Sequence, residues 1–262
     1  MESAPLANQL LTEDDPVPVE LINRHSQSAL LLLCEHAGNH VPASLGRLGL
    51  SQDQLDSHIG WDIGAAELAR QIADQLQAPL ILQHYSRLVI DCNRPTDSEQ
   101  SIPALSGGVQ IPVNQTITAD EKLARQTEIF YPLDQALATE LAGDKRKAVF
   151  SIHSFTKELQ GEQRPWNAGF LSRTDQATAT QLCEYVAGNT SDLNLAVNQP
   201  YQIEDDSDWF IPRYAERKQL AHCLIEVRND QLREPTGIAR WADLLSGAIR
   251  SVVESMEMEN NA

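Results

Sequence analysis

The sequence predicts an α/β protein built around a mixed, mostly parallel sheet. Three observations carry that reading. Ala29–Leu33 and Leu80–Leu82 are wholly apolar runs, and Ala148–Ile152 and Leu220–Val227 are predominantly apolar; buried parallel strands read as such runs. Segments with apolar residues at helical spacing lie between them. Strands that alternate with helices are the signature of βαβ units.

Residues 1–28 read as an acidic lead-in with Pro16 and Pro18, and residues 29–262 as a single catalytic domain. The run Ala29–Leu33 ends in Cys34-Glu35-His36-Ala37-Gly38-Asn39-His40. A helix is expected from about Asp62, because Ile63, Ala66, Leu68, Ala69, Ile72, Ala73 and Leu76 recur at helical spacing before Pro79. Leu80–Leu82 and Leu88–Ile90 read as strands. The Ser/Pro/Gly-rich stretch 95–118 reads as a long loop, and loops of that length in a compact domain are usually functional or disordered. Thr118-Ala-Asp-Glu121 fits a capping box; the helix it opens runs towards Ala142, with a kink expected at Pro132. A strand over 148–152 delivers His153 at its carboxyl end. Ala168–Leu171 is a short strand, Thr178–Gly188 a helix, and Pro212 opens another helix reaching Gln219. Leu220–Val227 is the last strand, and Trp241–Met256 closes the chain as an amphipathic helix. The sequence shows no internal repeat.

With 262 residues, 42% of them hydrophobic, the chain can bury a substantial core. The formal net charge of −17 argues against binding to a nucleic-acid backbone or to an anionic membrane surface. That leaves a small molecule as the expected partner; oligomeric state is left open. The first residues lack the basic start and apolar stretch of a secretory signal, and no apolar run approaches the roughly 20 residues of a membrane span. Cys34, Cys92, Cys183 and Cys223 share no CxxC spacing. They read as reduced core thiols, which with the missing signal makes a cytoplasmic location the expectation.

The chemistry is concentrated at strand ends. Seven histidines are present, and His36 and His153 each follow an apolar run. Open α/β sheets place ligands at the carboxyl ends of their strands. Two imidazoles delivered there suggest a metal centre, and catalytic zinc takes three protein ligands and keeps a fourth position open. Asp62, in His58-Ile-Gly-Trp-Asp62-Ile-Gly64, is the nearest carboxylate able to complete the set, although a helix N-cap also explains an aspartate there. Glu35 and Asn39 are the competing oxygen donors; neighbours on an extended chain point to opposite sides, which disfavours Glu35 and His36 sharing one ion. In Ser86-Arg87-Leu-Val-Ile-Asp91-Cys92-Asn93-Arg94-Pro95 the arginine offers a planar fork for a carboxylate, with an Asp91–Arg94 ion pair as the structural alternative. Glu226 is a charge inside the apolar run Leu224–Arg228, a costly placement unless it is paired or functional. Near a metal it could move a proton between water and a leaving amine.

Taken together, Cys34–Asn39, Trp61–Ala65, Tyr85–Pro95, Ile152–Thr156, Arg164–Trp166 and Leu224–Arg228 resemble the motifs of the N-formylglutamate amidohydrolase family, in family order across roughly residues 30–245. The resemblance implies a three-layer α/β/α sandwich of the zinc-carboxypeptidase and aspartoacylase kind, around a mixed, mostly parallel sheet. It implies one zinc held by His36, Asp62 and His153, with Glu226 as acid/base and Arg87 assisting catalysis. Asn93 and Arg94 would hold the substrate carboxylate, with Arg164 as a further substrate-binding candidate. One departure stands out. The wider relatives take their second ligand from His-x-x-Glu, whereas this chain has His36-Ala-Gly-Asn39; Asp62 takes that place. The expected reaction is hydrolysis of a small N-acyl amino acid, with N-formyl-L-glutamate the first candidate. Loop 95–118 or the Arg164–Trp166 segment is expected to cover the site and set the size of the acyl group.

Overall fold

In the computed structural model, residues 9–260 are described. Seven strands make the main sheet: β1 (Val19–Ile22), β2 (Leu30–Cys34), β3 (Leu80–Gln83), β4 (Ala148–Phe155), β5 (Ala168–Leu171), β6 (Leu195–Val197) and β7 (Ala221–Arg228). Their order across the sheet is β1-β3-β2-β4-β7-β5-β6. The central four, β3, β2, β4 and β7, are parallel. β1 pairs antiparallel with β3 and β5 antiparallel with β7, and β6 then follows β5 in parallel.

The helices are α1 (Gln52–Leu55), α2 (Ala65–Leu76), α3 (Ala119–Arg125), α4 (Tyr131–Glu140), α5 (Gln176–Asn189) and α6 (Pro235–Asn260). Alternation along each strand sorts side chains between two cores. Leu30, Leu32, Phe150, Ile152, Cys223 and Ile225 face one side, where α2, α5 and α6 pack. Leu31, Leu33, Val149 and Leu224 face the other, under Ile129, Phe130, Leu133 and Leu137 around α4, and under Phe210 and Ile211. The result is the α/β/α sandwich, and it explains the unbroken apolar runs: both faces of β2 are covered. No described helix is long and apolar enough to cross a membrane.

Several elements differ from the sequence expectation. Leu88–Ile90 is a buried turn, not a strand. Ser86 carbonyl accepts the Val89 amide and Ser86 Oγ accepts the Leu88 amide, so local bonds outcompete the ladder while core burial accounts for the apolar residues. Strand β4 does not stop at Ile152 but carries His153 and Ser154 within it. The distortion near Pro132 is a π-helical turn over Gln126–Phe130, after which α4 resumes with the proline in its first turn, where no amide is needed. The segment after Phe210 is likewise a π-helical turn, Ile211–Glu216. β1, inside the expected lead-in, and β6 were not anticipated; both are short edge strands whose residues are mostly only partly buried. The capping box at Thr118 forms as expected, and all four cysteines are free thiols.

Candidate metal centre and catalytic cleft

His153 and Glu226 reach the site from adjacent parallel strands. They are register partners in the β4–β7 ladder, so their side chains leave the same face of the sheet. His36 sits two residues beyond β2, and its carbonyl accepts the Asp62 amide at 3.0 Å, which fixes the loop before α2 against the strand end. Gly64, at φ +81°, then turns the chain into α2; a Cβ there would meet Leu232 Cβ at 2.4 Å, so the turn accepts only glycine.

Three donors converge. One atom from each of His36, Asp62 and His153 lies within 4.8 Å of the others, and all three residues are buried. Asp62 does not cap α2. Its Oδ2 lies 2.9 Å from His153 Nδ1 and 3.6 Å from His36 Nδ1 and accepts the Ser154 amide, while its Oδ1 is paired with Arg87. The other nitrogen of each imidazole is anchored on a carboxylate: His36 Nε2 on Asp91 at 2.7 Å, and His153 Nε2 on Glu35 at 3.0 Å. Glu35 stands behind His153, on its far nitrogen, and is not one of the three converging donors. Asn39 is turned away, donating to Asp56. This arrangement, an imidazole facing a shared point with its far nitrogen held by a carboxylate, is how metal-binding histidines are oriented.

The electrostatics of the two rings differ. Burial, with the nearby Arg87 guanidinium, pushes His36 down to about 4, so its ring is neutral at ordinary pH. Burial also acts against a charge on His153, but the Glu35 carboxylate outweighs it and raises its pKa. Asp91 is held below the usual carboxylate range in spite of burial, by His36 and then Arg94 and Arg87. Four buried side-chain atoms around the site lack a hydrogen-bond partner among the described residues: Glu35 Oε1, His36 Nδ1, Arg87 Nε and Glu226 Oε2. An orphaned imidazole nitrogen beside a carboxylate and a second imidazole is a donor set suited to zinc.

These residues line a cleft of about 360 Å³, with Arg87, Asn93, Arg94, Tyr201, Glu204 and Asp208 on its other walls. Glu226 makes no ion pair among the described residues, and burial pushes its carboxyl up to about 7. The structure brings together seven of the residues singled out by sequence: His36, Asp62, Arg87, Asn93, Arg94, His153 and Glu226. It gives two of the candidates different surroundings from those expected. The Asn93 carboxamide donates to Asp208 and accepts the Trp209 and Phe210 amides, so it clamps the 204–210 loop. Arg164 does not line the cleft; it is buried, donates to Tyr201 Oη at 2.7 Å, and stacks over the Tyr201 and Phe155 rings. Asp91 lies 3.8 Å from Arg94, the ion pair considered from sequence, and also bonds His36, which the sequence did not suggest.

Tyr201, Glu204 and Asp208 escaped the sequence reading because they lie in irregular chain with no periodicity. Their position has a discernible cause. A Cβ on Gly169 of β5 would meet Gln199 carbonyl oxygen at 1.5 Å, so only glycine lets the backbone preceding Tyr201 rest directly on the sheet.

Comparison with known proteins gives a consistent picture. Residues 28–233 match the sequence pattern of the N-formylglutamate amidohydrolase family. No curated protein matches the chain. Among solved structures, gene product Atu2144 from Agrobacterium tumefaciens is 32% identical, with a TM-score of 0.89 over 95% of this chain and 99% of that one. The N-formylglutamate amidohydrolase from Ralstonia eutropha JMP134 shares 16% identity and the fold, with a TM-score of 0.66 over 93% of this chain and 100% of that one. A match running from the entry to β2 through β7, over His36, Asp62 and His153 and every residue that lines the cleft, places this chain in the N-formylglutamate amidohydrolase family.

Proposed function

We propose that the protein is a zinc-dependent amidohydrolase that cleaves a small N-acyl amino acid, with N-formyl-L-glutamate as the first candidate, giving formate and L-glutamate. The observation that supports it best is the meeting of His36, Asp62 and His153 in one cleft with the unpartnered carboxylate of Glu226. His36 Nδ1, His153 Nδ1 and an Asp62 oxygen would hold the ion. Zinc bound there would polarise the amide carbonyl and lower the pKa of its water to about 7.

Glu226 is the proton carrier. Raised towards 7, it can accept a proton from water as the C–O bond forms and return it to the nitrogen as the C–N bond breaks. Arg94, with its guanidinium in the cleft, anchors the substrate carboxylate, and Asn93 keeps the 204–210 loop closed beside it. Arg87, locked by Asp62, presents positive charge next to the carbonyl oxygen, where charge develops. The other residues orient: Asp91 and Glu35 hold the imidazoles, and Arg164 holds Tyr201.

The test is zinc reconstitution followed by measurement of formate release from N-formyl-L-glutamate and of amine release from a panel of N-acyl amino acids and dipeptides. Glu226→Gln should keep its zinc and lose kcat by roughly 10²–10⁴-fold. Stoichiometric zinc with no hydrolysis of any amide would sink the enzyme reading in favour of a metal- or carboxylate-binding protein.

A further inference from the structure

A second, smaller cleft of about 150 Å³ adjoins the catalytic one. Asp62, Arg87, Ser154 and Tyr201 line both. His36, His153, Glu226 and Arg94 line only the larger one, and His58, Ser106, Gly107, Thr156 and Leu159 only the smaller. Its outer walls are two short hairpins, Leu105–Ser106 with Val109–Gln110 and Glu158–Leu159 with Glu162–Gln163.

The partition of residues gives the small cleft a direction. The proton carrier for the leaving nitrogen and the arginine for the carboxylate both belong to the large cleft. On the far side of the scissile carbon lies the acyl substituent, and on that side, past Asp62 and Arg87, lies the small cleft. A formyl group carries only hydrogen there and leaves the space unfilled. At about 30 Å³ per water-sized unit, the volume accommodates about five heavy atoms.

Its chemistry is selective as well. The His58 ring makes no hydrogen bond among the described residues, and Arg87 Nε is buried without a partner. Partial burial, then Arg87 and Arg164, lower the His58 pKa, and of the two arginines Arg87 lines the small cleft itself. Asp62 is the one carboxylate in the lining, and it is already paired with Arg87. Gly107, at φ +54°, keeps the space open: a Cβ there would meet Ile59 Cγ2 at 2.6 Å and approach His58 Nε2 at 3.8 Å.

We infer that this small cleft is an acyl subsite, which receives a short acyl chain ending in a carboxylate, so that N-formyl-L-glutamate is accepted but a longer acyl group is preferred. The inference rests on the amidohydrolase reading and specifies its substrate class. The experiment compares kcat/KM of the zinc-loaded protein for formyl, butyryl and succinyl derivatives of one amino acid, in the wild type, in Ser106→Phe, which fills the cleft from its hairpin, and in His58→Leu. The wild type should favour succinyl over both butyryl and formyl by tenfold or more. Ser106→Phe should lower the succinyl-to-formyl ratio at least tenfold, and His58→Leu should lower the succinyl-to-butyryl ratio. Calorimetric titration should show succinate binding more tightly than butyrate to the wild type, with the difference reduced in His58→Leu. Turnover of the formyl substrate with none of the longer ones would overturn the acyl subsite while leaving the amidohydrolase reading intact, as would equal loss on all substrates in Ser106→Phe. Hydrolysis of none of them would remove both.

Discussion

His36 and His153 are neighbours in space only because each ring is held at its far nitrogen, and that dependence can be measured. Asp91→Asn or Glu35→Gln leaves the ligands in place but weakens the grip on their orientation. Each should reduce zinc affinity about 10–100-fold in a chelator competition, and unchanged affinity would demote both carboxylates to bystanders. Glu226 gives a second test through stability. Its folded value of about 7 lies above the unfolded 4.5, so it stabilises the metal-free fold fully below pH 4.5, and that contribution is lost as pH rises through 7. The loss is on the order of 3 kcal/mol. Metal-free Glu226→Gln should therefore gain on the wild type in melting temperature between pH 5 and pH 8; parallel curves would mean that the carboxyl is hydrated. Much of this chemistry was legible at the level of residue type. Two histidines after apolar runs, an aspartate between glycines and a glutamate inside a strand all reached the cleft. Less legible were the partners of Asn93 and Arg164, because what an amide or a guanidinium bonds to depends on a loop that comes a hundred residues later in the case of Asn93, and on an aromatic residue without a pattern in the case of Arg164.

Among elements, those with two buried faces were the ones a single sequence reveals. β2, β4 and β7 declare themselves by composition, and α3 by its capping box. β1 and β6 lie at the edges, where partial exposure dilutes the apolar signal. Leu88–Ile90 misleads for the opposite reason, since a buried turn needs the same residues as a strand. The segment before Tyr201 depends on β5 in a way composition does not express. Gly169→Ala should force it off the sheet, destabilise the protein by roughly 1–3 kcal/mol and lower kcat/KM through the displaced Tyr201. A variant with normal melting and normal turnover would show that the loop sits elsewhere.

Across the whole molecule, the proposed metal donors come from β4, from the turn after β2 and from the loop before α2, with His153 and Asp62 91 positions apart in the chain. An ion held by all three ties together parts of the fold that the unfolded chain keeps separate. At a free zinc concentration one hundred times Kd, stability should rise by about 2.7 kcal/mol, and a chelator should reverse the shift in the melting curve. No shift would mean that the three donors do not act as one site. The sandwich itself was foreseeable from alternating strands and helices, because covering both sheet faces is the simplest use of such runs.

The pairing of His153 with Glu226 across two neighbouring strands carries a last consequence. Side chains on a strand alternate between faces, so slippage of β7 by a single residue would bury the glutamate among hydrocarbon and present Ile225 or Val227 to the open space. A molecule that has closed its sheet one step out of line can keep its secondary structure and its size, yet it has lost the Glu226 carboxylate from the cleft. An assay of the proposed hydrolysis would thus proofread assembly, separating correctly zipped molecules from near misses that spectroscopy would count as folded.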